Sequence, residues 1–248
     1  MNYGKSFADV YSKHLIHFSV QVAPRIYKYI STKSNKKEVL DLCCGTGQLA
    51  YYFLTKDFQV TGIDISNDML YHAKELSKQF IEKGKAEFYN DDARYFSLNK
   101  KFPNIVSTYD ALNHLEDEQS LIQCFQQVYE HLEDDGIFIF DLNTKLGLSK
   151  GGTFIREEET LFSVAQSMFE PLRNKAFTRY YGFVKNDDSP DYYKYDEVIY
   201  NTIFKMEDVR EYLYNAGFGS VEFAHLVNLF KIVEEPESEE RVFIIATK

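Results

Sequence analysis

The chain has 248 residues, of which 44% are hydrophobic and 27% charged, a balance typical of a folded globular protein and not of a disordered one. Its formal net charge of −10 would repel a phosphate backbone, so we expect no nucleic-acid partner. No apolar run approaches the roughly 18 residues that span a bilayer, so we expect no membrane partner. Because the start lacks a signal peptide and the three cysteines form no disulfide framework, we expect a cytoplasmic protein.

The predicted elements alternate between strand and helix up to about Asp141, which is typical of a mainly parallel sheet covered on both faces. Short apolar runs predict strands at 38–43, 58–64, 86–89, 105–109 and 136–141. Apolar residues at a 3.6-residue period predict the helices between them, one through Met69 and Ala73 and another through Leu121 and Phe125. Ser66 is placed to cap the first of these helices.

Strand-like alternation broken by turn residues replaces this pattern between about 151 and 204 and predicts an inserted antiparallel layer. A helix then runs from Met206 to its stop at Gly217, and two last strands follow near 221–230 and 241–247. We therefore predict an α/β fold with a doubly wound, mainly parallel, seven-stranded sheet. Residues 1–150 form the predicted core and begin with leader helices. Residues 151–204 form the inserted layer, and residues 205–248 form a final helix and strand pair that complete the core.

The segment VLDLCCGTG at 39–47 joins a predicted strand to a predicted helix through a glycine turn. Glycine allows a ligand to approach the backbone closely, and Asp64 at the end of the next strand can accept the hydroxyl hydrogens of a ribose. Gly45, Gly47 and Ala50 also match the G-x-G-x-x-A pattern of dinucleotide enzymes, so a dinucleotide-dependent oxidoreductase is an alternative.

Charge decides between a dinucleotide and a cationic ligand. Acidic residues should lie near the carboxyl ends of successive strands, where ligands bind in such sheets: Asp41, Asp64, Asp91, Asp92 and Asp110. A pyrophosphate would face several carboxylates there. The pattern favours a cofactor that carries positive charge and no phosphate.

The motifs DLCCGTG, GIDIS, NDDAR and STYDALNHL resemble those of the class I methyltransferases that depend on S-adenosylmethionine (SAM). The resemblance covers about 37–145, and the last helix and the strand RVFIIATK resemble the closing elements of that family. It implies a Rossmann-like fold, SAM as cofactor and methyl transfer. Two departures stand out, because Cys43 and Asp91 occupy positions where the family usually has glycine.

The resemblance implies a role in cofactor binding for the following residues: Tyr3, Tyr11, Asp41, Cys43, Gly45, Thr46, Gly47, Asp64, Ile65, Met69, Asp92, Ala93 and Tyr109. The loop at 43–47 would lie along the methionine part, Asp64 would hold the ribose, and Asp92 would reach the adenine amino group. Tyr109 would flank the sulfur. Tyr11, on an amphipathic leader helix, would close over the cofactor or simply pack.

Within the family the chain resembles enzymes that methylate small molecules, including amino sugars and small amines. His114 and Tyr11 are the candidate catalytic residues, since the acceptor must lose a proton and imidazole is suited to take it at neutral pH. Nitrogen and oxygen acceptors both remain open, as do a monomer and a homodimer. A SAM-binding sensor or scaffold without turnover is a further alternative, and no metal is expected.

The inserted layer is expected to act as a lid over the acceptor site. Strand alternation points Phe177, Arg179, Tyr181 and Phe183 to one face and Tyr180 to the other. The aromatic side chains either shape an apolar acceptor pocket or form the core of the layer or a dimer surface.

Overall fold

The computed structural model describes residues 4–186 and 189–248. Its helices are α1 (Lys5–His14), α2 (His17–Lys33), α3 (Gln48–Thr55), α4 (Asn67–Ile81), α5 (Glu118–His131), α6 (Lys145–Ser149) and α7 (Met206–Ala216). Its strands are β1 (Glu38–Leu42), β2 (Gln59–Asp64), β3 (Ala86–Asn90), β4 (Phe102–Ser107), β5 (Leu132–Asn143), β6 (Gly152–Glu158), β7 (Leu161–Glu170), β8 (Lys175–Lys185), β9 (Tyr192–Thr202), β10 (Ser220–His225), β11 (Asn228–Ile232) and β12 (Arg241–Thr247). Among the helices of the described part, none combines the length and the hydropathy that crossing a lipid bilayer requires.

Eight strands of the described ranges form one sheet in the order β11-β10-β12-β5-β4-β1-β2-β3. Strands β1 to β5 pair in parallel, whereas β12 runs antiparallel to both β5 and β10. This confirms the predicted doubly wound, mainly parallel α/β fold. The sheet has one strand more than the seven predicted, because the stretch predicted as one strand at 221–230 turns back at Leu226 and Val227 to form a hairpin.

Both faces of this sheet are buried, as strand β5 shows. Phe138 and Phe140 pack with Phe125 of α5 on one face, whereas Ile137 and Ile139 belong to the core cluster on the opposite face. Successive side chains of a strand point to opposite faces, so a continuous apolar run is what a strand covered on both sides requires.

Two helix ends follow their sequence signals. The hydroxyl of Ser66 accepts a hydrogen bond from the N–H of Met69 and caps α4 as predicted. Helix α7 ends at Gly217, which adopts a φ of +113° that favours glycine.

Strands β6 to β9 form a separate antiparallel sheet, which confirms the predicted inserted layer. We call it the lid sheet. Its inner face packs on helix α1, where Phe7 and Val10 share a buried cluster with Leu161, Tyr195 and Ile199 of the lid sheet. The leader helix and the inserted strands therefore form one covering layer.

Candidate active site

A cavity of about 560 Å³ lies between the carboxyl ends of the main strands, helix α1 and the inner face of the lid sheet. Residues that follow or end strands β1 to β4 line its floor, among them Gly45, Asp64, Asp92 and Tyr109. Ligands of open α/β sheets bind at this edge, and small-molecule sites typically measure roughly 300–1,000 Å³. The cavity is therefore the candidate active site.

Most residues that the resemblance places at the cofactor or the acceptor line this one cavity: Tyr11, Cys43, Gly45, Asp64, Ile65, Met69, Asp92, Ala93, Tyr109 and His114. Asp41, Thr46 and Gly47 are not among its lining residues. Tyr3 lies outside the described residues. The structure thus gathers side chains from α1, α4 and four strand ends that are far apart in the sequence.

The turn after β1 owes its shape to residues with positive φ. Cys43 has a φ of +59°, Gly45 of +54° and Gly47 of +82°. This left-handed conformation costs about 1–2 kcal/mol for a residue with a side chain, so Cys43 takes on a strain that a glycine would avoid. A Cβ atom at Gly45 would meet no atom within 4 Å, which leaves the peptide open for close approach of a ligand.

Gly47 packs closely against helix α4. A Cβ atom there would lie 2.8 Å from the Cβ atom of Ala73 in α4. Glycine at this position allows α3 to start against α4, and its contact with the methionine part of the cofactor stays a prediction. Thr46 is likewise buried, and its hydroxyl donates to Oε1 of Gln48 at 2.6 Å.

Asp64 ends β2 and ties two strand ends together. Its Oδ1 accepts the N–H of Ser66 and its Oδ2 the N–H of Gly45, each at 2.8 Å. Burial raises the pKa of Asp64, although the two N–H donors oppose this. Each oxygen keeps a second lone pair, so the carboxylate can still accept the hydroxyl hydrogens of a ligand.

Asp41 lies beneath the turn. Its Oδ2 accepts the N–H of Ala50 in the first turn of α3 at 3.0 Å, and the residue is 2% exposed. Burial raises the pKa of Asp41 to about 8. The position of this carboxyl group supports a structural task, since it joins β1 to α3.

Beyond β3, Asp92 is held by Arg94. The Arg94 guanidinium donates to Oδ2 at 2.6 Å and to Oδ1 at 2.9 Å, and these bonds hold the pKa of Asp92 below its ordinary value. Ile65, Met69 and Ala93 line the cavity near the neighbouring ends of β2 and β3. They provide an apolar surface of the kind that a flat aromatic ring can cover.

These groups fit SAM, the cofactor that the resemblance implies. Among the described residues, the cavity lining carries more carboxylates (Asp64, Asp91, Asp92, Asp110 and Glu116) than cationic side chains (Arg94, Lys150 and Arg241). The excess of negative charge suits a sulfonium and an ammonium group. The open peptide at Gly45, the carboxylate of Asp64 and the apolar surface would hold the methionine, ribose and adenine parts.

A buried ion-pair network that the sequence did not predict joins the ends of β4, β5 and β12. The guanidinium of Arg241 donates to Asp110 at 2.8 Å, to Asp141 at 2.9 Å and to Asn143 at 3.0 Å. The carboxylate of Asp141 also accepts the N–H groups of Tyr109 and Asp110. In the sequence, the one available signal was an arginine at the start of an otherwise apolar strand.

This network fixes the turn that follows β4. Tyr109 and Asp110 have φ values of +67° and +49°, so two successive residues adopt the left-handed conformation. Asp141 compensates for that strain by accepting both of their N–H groups. The Tyr109 ring stacks on Phe18 of α2 and also contacts Tyr11, which brings two predicted cofactor residues together.

His114 lies at the end of a 3₁₀ turn, Ala111–His114, and lines the cavity. Its Nδ1 is 3.0 Å from the carbonyl oxygen of Tyr200 in β9. A carbonyl oxygen only accepts, so Nδ1 carries the hydrogen of the neutral ring and Nε2 is the basic nitrogen. The lid sheet thereby sets the tautomer of His114.

The face of the lid sheet that lines the cavity carries Ala176, Thr178 and Tyr180. The outer face carries the alternate residues Phe177, Arg179, Tyr181 and Phe183. On this face the Phe183 side chain is 48% exposed, and the Arg179 guanidinium pairs with the Asp196 carboxylate at 2.6 Å. The expectation that this set shapes an acceptor pocket is therefore wrong. Alternation was predicted correctly, but aromatic residues occur on both faces, so the pattern could not tell which face is covered.

The family model described as "Methyltransferase domain" matches residues 39–136. The chain is 27% identical to YqeM of Bacillus subtilis (strain 168), over 98% of this chain and 96% of that protein. It is 34% identical to the dTDP-3-amino-3,4,6-trideoxy-alpha-D-glucopyranose N,N-dimethyltransferase of Streptomyces venezuelae, over 42% of this chain and 41% of that protein.

Among solved structures, the S-adenosylmethionine-dependent methyltransferase of Clostridium acetobutylicum ATCC 824 superimposes with a TM-score of 0.79 at 26% identity, covering 98% of this chain and 97% of the other. The likeness thus extends through the lid sheet and the closing strands. Together with the domain match at 39–136 and the cavity at the carboxyl edge, it shows that the chain is an enzyme that uses SAM to transfer a methyl group.

Proposed function

We propose that the enzyme transfers the methyl group of SAM to a nitrogen or oxygen atom of a small molecule. The observation that carries this proposal is the roof of the cavity. Helix α1 and the lid sheet cover the space beside the cofactor residues, and Tyr180 and Asn201 of the lid sheet line it. A covered chamber of this size suits a small acceptor, and the net charge of −10 argues against a nucleic acid.

When bound, SAM supplies a methyl group on a sulfonium, so that the departing thioether is neutral. The protein therefore has little bond chemistry to perform. Its main task is to hold the acceptor in line, and good alignment can be worth about 7–11 kcal/mol of the barrier. The strained turn at Tyr109 and Asp110 is suited to this because hydrogen bonds to Asp141 and Arg241 hold it in place.

We assign proton removal from the acceptor to His114. Its Nδ1 hydrogen is engaged by the Tyr200 carbonyl, so the ring presents Nε2 as the base. The bond also fixes the orientation of the ring. Tyr11 lines the same cavity on the side of α1 and is the second group that would contact the cofactor or the acceptor.

An amine is the favoured acceptor. The Streptomyces venezuelae relative is named for N,N-dimethylation of an amino sugar, and its similarity to this chain covers 42% of the residues. The excess of carboxylates in the cavity would attract a protonated amine before His114 removes its proton. A phenol or another hydroxyl is the second candidate.

Two measurements test the proposal. Calorimetry should detect binding of SAM and S-adenosylhomocysteine but not of NAD, and labelled SAM should transfer its methyl group to a member of pooled amines, amino sugars or phenols. Asp64→Ala should weaken SAM binding about tenfold or more, because it removes a carboxylate that lines the cavity. Asp41→Asn is the matched control, since this buried acid lies off the cavity and SAM affinity should stay unchanged.

SAM binding without transfer to any pooled acceptor would contradict the small-molecule proposal. An equal loss of SAM affinity in Asp41→Asn and Asp64→Ala would contradict the assignment of Asp64 to the cofactor.

A further inference from the structure

The outer face of the lid sheet, which points away from α1 and the cavity, carries a large exposed apolar surface. All four strands contribute to it. Six of its side chains are each 37–59% exposed in the described part of the chain: Ile155, Phe162, Met168, Phe183, Val198 and Tyr200. Large apolar side chains thus face solvent on this side of the sheet.

These side chains form continuous rows across the strands. Residues directly opposite each other in antiparallel strands lie side by side on one face. Met168 stands opposite Phe177, and Phe177 stands opposite Tyr200 with the two ring centroids 5.6 Å apart. At the other end of the strands, Phe162 stands opposite Phe183. Soluble monomers rarely expose a contiguous apolar patch of more than a few hundred Å², and larger patches mark binding surfaces.

The size of the face matches the interface of a stable dimer. Its strands are 7, 10, 11 and 11 residues long. At about 3.3 Å per residue and about 4.8 Å between strands, the face covers roughly 600 Å² in projection, and the relief of the side chains makes its accessible area larger. Each partner of a standard-size interface buries about 800 Å².

The charge of this face differs from that of the whole chain. Its strands place four basic and three acidic side chains on the outer side, a net charge of +1, whereas the chain has a formal net charge of −10. The basic ones are Lys175, Arg179, Lys185 and Lys194, and the acidic ones are Glu157, Glu170 and Asp196. Two copies therefore repel each other through most of their surface but not through this face.

We infer that the outer face of the lid sheet is the interface through which two copies of this chain form a homodimer. A two-fold axis between the copies sets the same face against itself, and sheets that pack face to face lie about 10 Å apart with interdigitating side chains. The apolar rows of each copy cover those of the other. Arg179 and Asp196, which pair at 2.6 Å, enter the interface with their charges compensated.

This arrangement leaves both active sites complete and accessible. The cavity lies on the opposite side of the lid sheet, where Thr178 and Tyr180 of β8 line it. The residues that the interface covers are therefore different from those that face the cofactor and the acceptor.

Sedimentation equilibrium over a series of protein concentrations tests the inference on the full chain. The wild-type protein should have twice the molar mass of one chain and should dissociate only on dilution. Phe183→Glu places a carboxylate on the outer face of β8, opposite Lys194, and should raise the dissociation constant about tenfold or more. Met168→Glu makes the same change near the other end of the face and should act in the same direction.

Phe154→Glu is the matched control. Phe154 belongs to the same sheet and is 69% exposed, but it precedes Ile155 in β6 and so points to the other face. It should dimerise as the wild type does. Circular dichroism melting and the affinity for S-adenosylhomocysteine, which should stay within about twofold, check that each variant is folded. If Phe183→Glu does not fold, Met168→Glu decides.

Three results would overturn the inference. A wild-type protein that is monomeric at every concentration would leave the face to a different protein or to a lipid surface. A dimer that the folded outer-face variants do not weaken would place the interface elsewhere. Equal dissociation of Phe154→Glu and the outer-face variants would show that added charge, and not the position of the residue, separates the copies.

Discussion

Alanine at each of the two glycines after β1 should damage the enzyme in different ways. In Gly47→Ala the new Cβ atom would lie 2.8 Å from the Cβ atom and 2.9 Å from the Cα atom of Ala73, well inside the usual separation of about 3.5–4.0 Å. Overpacking of this kind costs about 1–3 kcal/mol and the left-handed φ about 1–2 kcal/mol. The free energy of unfolding should therefore fall by about 2–5 kcal/mol.

Gly45→Ala carries only the conformational cost of about 1–2 kcal/mol, since its Cβ atom would meet no atom within 4 Å. The added methyl group would stand at the peptide that the cofactor approaches. SAM affinity should fall about tenfold or more, which corresponds to about 1.4 kcal/mol. The SAM affinity of Gly47→Ala should stay closer to that of the wild type, because the clash in this variant lies between α3 and α4.

Urea denaturation followed by far-UV circular dichroism measures the stability of both variants, and calorimetry at low temperature measures their SAM affinity. A stability of Gly47→Ala within about 0.5 kcal/mol of the wild type, the usual range for an uncritical surface position, would contradict the predicted clash with Ala73. A lower stability of Gly45→Ala than of Gly47→Ala would contradict it as well.

Three further variants have defined outcomes. Arg241→Met should lower the free energy of unfolding by about 3–5 kcal/mol in urea denaturation, because it leaves Asp110 and Asp141 buried without their cation; an unchanged midpoint would contradict this. Burial raises the folded-state pKa of Asp41 from 3.8 to about 8, so the unfolded chain binds fewer protons between these values. The stability that Asp41 contributes is complete below about pH 4 and is lost as the pH rises through about 8. Because asparagine does not titrate, the melting temperature of Asp41→Asn should fall less than that of the wild type between pH 5 and 9. His114→Ala should lower kcat by about 10²-fold to 10⁴-fold with SAM affinity little changed; recovery at high pH would assign proton removal to His114, and full activity at every pH would exclude it from catalysis.

The sequence determined the order of the elements and the place of the ligand site. Apolar periodicity, the cap at Ser66 and the stop at Gly217 act over a few neighbouring residues, so they can be recognised without knowing the fold. The glycine turn at 43–47 and Asp64 at the end of a strand are also local signals that can be recognised in the sequence. Because strands that run parallel end at one edge, their order along the chain was enough to predict that these residues meet.

Contacts between distant segments were decided by the tertiary structure. Arg241 reaches Asp110 across 131 positions, and the carbonyl that sets the tautomer of His114 comes from Tyr200, 86 positions away. The role of Gly47 depends on how closely α4 approaches, and the inward face of the lid sheet depends on which side α1 covers. Side-chain alternation has the same period on both faces of a strand, so only the packing of other elements against the sheet selects Tyr180 for the cavity and Tyr181 for the outside.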